Sequence, residues 1–300
     1  MTPQISIAVL LALGVVGLAC LLGPLIVQFV WARHRPWLWA SFAYGALTFA
    51  VSQLLTRIPL ITNVLPVLPE WQAILANAVL SAVILGFSAG LFEETGRLIV
   101  MGTFFRKRRT HADGVSFGLG HGGLEAGALV GLGMLSLAVL GLVVRSGGWA
   151  NLAAGMPPEA AAGLAGQLGG LTVGGALLGG VERVAAMVLH VALSLLVLLG
   201  ITRGRGVLAW LLAILVHGTV NTAAVLALTV AGLPAAAVEA GLTVVAVGLL
   251  VWIVRIRGLF EPDRLRVTEP STTSGIDPTG SAEPGSSPGD SRNGGAGQGD

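Results

Sequence analysis

Glu93, Glu94 and Arg97 lie inside an apolar run, Trp71 to Phe105, long enough to cross a bilayer. Ionisable groups at that depth are costly and persist mostly where they pair with one another or do chemistry. Three further apolar runs carry polar groups of their own: His121 and Glu125 in the next, then Glu182, Arg183 and His190, then His217 and Asn221. The spacing gathers them. Residues three or four apart share a helix face, and Glu93 and Glu94 stand four and three before Arg97, His121 four before Glu125, and His217 four before Asn221. Adjacent carboxylates beside His and Arg can be held at different proton affinities, which is what a general base needs to activate water. Imidazole can then steady an oxyanion or protonate a leaving amine, and an Asn amide can orient a carbonyl.

The elements that must position these groups are membrane helices. Of 300 residues, 54% are hydrophobic and 11% charged, with a mean hydropathy of +0.84, too little polar surface to coat a soluble globule. Seven runs reach the roughly 20 residues a spanning helix needs: 5–31, 37–55, 71–105, 114–143, 178–200, 207–230 and 233–254. The expected fold is therefore all-α, a polytopic transmembrane helix bundle of about seven spans, with the third tilted, kinked or split near Gly86 or Gly90. Counted inward at about 1.5 Å per residue, Arg97, Glu94, His121, Glu125, His190 and His217 fall at roughly 10 to 17 Å from the same side, with Glu93 and Asn221 slightly deeper. Spans one, two and seven contribute none. Gly118, Gly120, Gly122, Gly123, Gly127, Gly131 and Gly133 make span four narrow, favouring close helix approach around a polar cavity.

The connections fall into two charge classes. One set holds Arg33 and Arg35, Arg106 to Arg109, Arg203 and Arg205, and Arg255, Arg257, Arg264 and Arg266; the opposite set holds only Arg57 and Arg145. The positive-inside rule then places the N-terminus outside and the C-terminus in the cytoplasm of a cell-membrane protein. The sequence pI of 9.3 reflects this orientation, and no nucleic-acid partner is expected. Met1 to Gln4 has no basic residue and the first run is too long for a signal peptide, so it reads as a retained anchor. Cys20 is the only cysteine, which excludes an internal disulfide and a thiolate metal cage. Residues 1–257 form the membrane domain, with its polar core on the runs 71–105, 114–143, 178–200 and 207–230; the Pro-, Gly- and Ser-rich stretch 258–300 is expected to be a disordered cytoplasmic tail. The Gly- and Ala-rich stretch 144–177 reads as an external amphipathic or re-entrant segment. Glu182 and Arg183 are placed near the external interface, with Arg183 as an interhelical clamp.

At these motifs the chain resembles the glutamic-type intramembrane protease superfamily, which includes the CAAX-processing, bacteriocin-processing and PrsW-like membrane proteases, and within it the YhfC-type membrane peptidases. The matching pieces are Glu93-Glu94-x-x-Arg97, Gly120-His121-Gly122-Gly123-Leu124-Glu125-Ala126, Glu182-Arg183 followed by His190, and His217-Gly218-Thr219-Val220-Asn221. The resemblance implies a hydrolase that cleaves a peptide bond near the cytoplasmic membrane face. In it Glu93 or Glu94 activates water, His190, His217 and Asn221 stabilise the oxyanion, and Arg97 and Glu125 complete the catalytic set. Two residues rather than the CAAX pattern's three separate the glutamate pair from Arg97, and His121 stands where PrsW-like proteins usually carry Phe.

Three other readings follow from the same residues. His121, Glu125, His190 and His217 supply donors that zinc accepts, which gives a zinc-dependent intramembrane metalloprotease, although no His-Glu-x-x-His element is present. A Glu, His and Arg relay through the bundle would serve a proton-coupled transporter or channel, and His190 with His217 could clasp a haem. On the glutamate reading no cofactor is expected; on the metal reading the cofactor is zinc. The expected partners are membrane lipid and a peptide or membrane-protein substrate.

Overall fold

The computed structural model describes residues 3–107 and 109–260, all of them helical or connecting, with no strand. Seven helices are long and apolar enough to cross a membrane: Ile7–Ala32, Leu38–Val67, Ala78–Phe104, His111–Ala154, Val173–Thr202, Gly206–Thr229 and Ala235–Leu259. In lipid every backbone polar group must be satisfied within its own segment, which leaves the helix as the natural solution for these runs. Side chains such as Leu11, Phe29, Leu55, Val139, Val184 and Val244 stand exposed on the outside of the bundle, where a bilayer would be their solvent. Helix starts are marked by short polar side chains that take up orphan amides: Ser6 accepts from Val9 N, Asn77 from Leu80 N and Thr172 from Gly175 N. Thr110 and Asp113 cap the fourth span reciprocally.

Three expectations change. The second span does not stop near residue 55 but continues to Val67, passing through a wide π-helical stretch, Ala50–Arg57. Arg57 is thus part of a membrane helix and not of a connection. The third span begins at Ala78 after a break at Asn77, which separates it from the short helix Pro69–Ala76, and it runs through Gly86 and Gly90 without interruption. The stretch 144–177 turns at Gly147, whose φ of 90° favours glycine, and then forms the short helices Trp149–Ala154 and Pro158–Gly169. The tail expected from Gly258 lies outside the described residues from position 261 onward, and Ile256–Leu259 is a 3-10 turn.

The glycines of span four act as anticipated. A Cβ on Gly120 would lie 1.9 Å from the Phe42 carbonyl oxygen of span two, and one on Gly118 would lie 2.4 Å from Val191 Cα of span five. Span four is therefore clasped between two neighbours at backbone distance. Span three packs along span six, span five carries span seven, and span one covers the later half of span four.

Candidate functional site

Glu93 is the point on which the bundle's polar groups converge. Its Oε2 lies 2.9 Å from His121 Nε2 of span four, 3.8 Å from His190 Nδ1 of span five and 4.0 Å from His217 Nε2 of span six. The three imidazoles are in contact, tilted for His121 and His190 with ring centroids 4.7 Å apart and edge to face for His190 and His217 at 5.3 Å. All four side chains are buried. His121 is held between Phe49 and Phe117, and its Nδ1 has no hydrogen-bond partner.

Each remaining carboxylate stands behind an imidazole. Glu94, completely buried, accepts from His217 Nδ1 at 2.9 Å and is tied to Arg97 Nη1. Adjacent residues on a helix point about 100° apart, so the pair that sequence could not separate is split, Glu93 toward the cavity and Glu94 into the protein. Arg97 also reaches His190 Nδ1 with Nη2 at 3.3 Å. Glu125 pairs with His190 Nε2 and accepts from Arg183 Nη1 at 2.9 Å, and Arg183 in turn pairs with Glu182. Arg183 joins spans four and five, and both it and Glu182 line the cavity.

Span two supplies what the sequence reading left out. Gln53 Nε2 donates to Glu93 Oε1, and Gln53 Oε1 accepts from Arg57 Nη1 at 3.1 Å. Both lie on the π-helical stretch, whose wider turn keeps residues four apart on one face. Gln53 carries no charge and Arg57 looked like a loop residue, so the only available signal was a polar pair, four apart, near the end of an apolar run.

A cavity of about 400 Å³ reaches Glu93, Glu125, His190, His217 and Asn221. From there it extends past Gln53 and Arg57 on span two, Ala82, Leu85 and Ala89 on span three, Leu129 on span four and Val225 on span six. Beyond the cluster, the lining residues of spans two to six continue toward the helix ends away from the basic connections. The opposite half is filled by Met101, Phe105, Phe117, Leu195, Leu198, Ile256 and Phe260. The cluster is thus approached from the side opposite the basic loops, a direction not anticipated for cleavage near the cytoplasmic face.

Residues 18–243 match the family described as YhfC intramembrane metalloprotease. The chain belongs to the YhfC family. A relative named "Uncharacterized membrane protein YhfC", from Bacillus subtilis (strain 168), is 35% identical over 221 residues, which are 73% of this chain and 85% of that protein. No solved structure matches. The YhfC match contains every residue of the cluster, all of the cavity wall on spans two to six, and none of the tail.

The family description raises the question of a metal, and the donors answer it favourably. Glu93, His121 and His190 each offer one ligand atom, all within 4.8 Å of one another. Tetrahedral zinc with bonds of about 2.0–2.1 Å needs donors about 3.3 Å apart, and the separations of 2.9, 3.8 and 4.0 Å around Glu93 Oε2 bracket that value. His190 and His217 each carry a carboxylate on the other ring nitrogen, the usual support for a metal-binding imidazole. An ion would have to displace the Arg97 contact to His190 Nδ1 and the hydrogen bond between His121 Nε2 and Glu93 Oε2. The carboxylate among the imidazoles is Glu93, not the Glu125 expected for a metal set. The absence of a His-Glu-x-x-His element carries little weight, because the donors come from separate helices. His190 and His217 touch each other edge to face with ring centroids 5.3 Å apart, which is not the arrangement of two imidazoles on opposite faces of a haem.

Proposed function

We propose that this YhfC-family chain is a metal-dependent intramembrane peptidase in which Glu93, His121 and His190 hold a zinc ion. The observation that carries the reading is the convergence of one carboxylate and imidazoles from different membrane helices at the blind end of a cavity. When bound, zinc would polarise the scissile carbonyl and make its water acidic enough to ionise near neutral pH.

The chain's own groups supply the rest. Glu125, at the cavity wall between Arg183 and His190, takes a proton from the attacking water and returns it to the leaving amine. His217, fixed through Nδ1 by Glu94, presents Nε2 to the carbonyl oxygen, and Asn221, one turn further along, orients the peptide. Glu94 and Arg97 position His217 and His190 without touching substrate. The apolar seal beyond the cluster keeps bulk water out from one side.

A glutamate-only mechanism fits less well. Glu93 is ringed by imidazole donors and Glu94 is enclosed by Arg97 and His217, so neither is left to act on water alone. The substrate class is a peptide or membrane protein, and lipid surrounds the bundle. The basic connections support a cell-membrane orientation with the C-terminus cytoplasmic. A reporter fused at Thr268 should be cytoplasmic and one within 144–160 external. The substrate is found by comparing membrane-protein fragments in cells carrying wild-type or Glu93→Gln protein. Its cleavage by the purified chain should stop with a chelator and return with zinc; cleavage indifferent to chelators would restore the glutamate-only mechanism.

A further inference from the structure

Arg57 is a buried cation on the cavity wall whose hydrogen-bond partners are all neutral. Its Nε donates to Ser88 Oγ at 3.0 Å, Nη1 to Gln53 Oε1 at 3.1 Å and Nη2 to the Leu85 carbonyl at 2.6 Å. A guanidinium has five N–H donors, so one on each terminal nitrogen is left over. Among the described residues no carboxylate lies within ion-pair distance of it. The other two buried arginines of the site differ in this respect, Arg97 being paired with Glu94 and Arg183 with Glu125 and Glu182. A membrane-embedded cation is normally retained with a counter-charge, and here the carboxylate acting on Arg57, Glu93, does so across Gln53, which leaves the guanidinium without a carboxylate in direct contact.

The position of Arg57 sets where that contact would come from. Leu85 and Ser88 stand eight and five residues before Glu93 on an unbroken helix. Through the single Gln53 amide the guanidinium comes within about 8 Å of the Glu93 carboxylate. An extended peptide covers that distance in about two to three residues. The wall between is apolar, formed by Leu85, Gly86 and Ala89. Gln53 connects the two ends, accepting from Arg57 and donating to Glu93.

We infer that Arg57 is a recognition subsite for a substrate carboxylate, carried about two to three residues from the peptide bond presented to Glu93, His121 and His190. The distance rests on the peptidase reading, but the anion site itself does not. A carboxylate is the planar acceptor that two parallel guanidinium N–H groups match. It could be a chain terminus or an Asp or Glu side chain, and the test separates the two.

The test is equilibrium binding of short peptides to the full-length protein in detergent. The probes are acetyl-Leu-Leu-Leu with a free C-terminal carboxylate, the same peptide as its amide, and acetyl-Leu-Leu-Asp amide. At least one carboxylate peptide should bind wild type about tenfold more tightly than the uncharged amide, the gain expected of a charge-assisted hydrogen-bond pair. Preference for the free acid alone identifies a terminal carboxylate, and preference for the Asp peptide a side chain. Arg57→Gln should lose the preference and keep the affinity for the amide; Arg57→Lys should keep part of it. Equal binding of all three peptides to wild type would overturn the inference without any variant. A preference that survives Arg57→Gln would overturn it too, since the carboxylate would then be held elsewhere, as by a metal. Because no cleavage is read, an Arg57-dependent preference in a protein that neither binds zinc nor cleaves would sink the peptidase reading alone.

Discussion

The same helices behave differently on the two sides of Glu93. Toward the basic connections spans three, four, five and seven close on Met101, Phe105, Phe117, Leu195, Leu198, Ile256 and Phe260. Away from them spans two to six part around Gln53, Arg57, Glu125, Arg183 and Asn221 and leave a cavity. Glycine marks the sealed side, where Gly120 meets the Phe42 carbonyl and Gly118 meets Val191. Hydrolysis inside a membrane needs both, a dry packed wall to hold the ligating groups in register and an opening through which peptide and water arrive. The cluster lies where one gives way to the other.

Changes on the open side should remove chemistry and leave the fold, whereas changes on the sealed side should do the reverse. The largest effect is expected for Glu93→Gln or His121→Ala, which should reduce cleavage by roughly a thousandfold or more, since a Lewis acid is worth several kcal/mol of transition-state stabilisation. Thermal melting in detergent should change far less. Phe105→Ala should cost about 3–5 kcal/mol of stability, the range for a large aromatic lost from a packed core, and zinc content per folded molecule should be retained. If Phe105→Ala abolished zinc binding without lowering the melting temperature, the division of labour between the halves would fail. Glu94→Gln, acting through His217 and through Arg97 on His190, should reduce activity by about 10- to 100-fold, as supporting partners of metal-site imidazoles do; a loss equal to that of Glu93→Gln would mean Glu94 meets the reacting atoms. Gly120→Ala should destabilise by about 1–3 kcal/mol by overpacking against Phe42, read as a lower melting temperature. Arg145→Gln, exposed and bonded only to the Ile5 carbonyl, should stay within about 0.5 kcal/mol of wild type.

The span count was legible because lipid as a solvent forces long apolar runs, and it held in all seven cases. The inward-facing set was legible for a related reason: Glu93, His121, His190 and His217 are costly at that depth unless they meet, and they do. What could not be read was the reach of span two. Pro59, Thr62 and Asn63 interrupt its apolar pattern, so the helix seemed to end before Arg57 and its polar pair went uncounted. Neither could the roles of Glu93 and Glu94 be told apart, since one residue's rotation decides which faces the cavity. The weight against a metal came from a motif that places two ligands on one helix. In this bundle each helix contributes a single close donor, so no spacing in the chain could have announced the set.

The account rests on a metal held by Glu93, His121 and His190, and the most direct measurement is the zinc content of the purified full-length protein by elemental analysis. About one zinc per chain is expected in wild type, lost in His121→Ala and His190→Ala variants that still melt cooperatively. A wild-type protein that cleaves peptide while carrying no metal, or variants that keep their zinc, would contradict it.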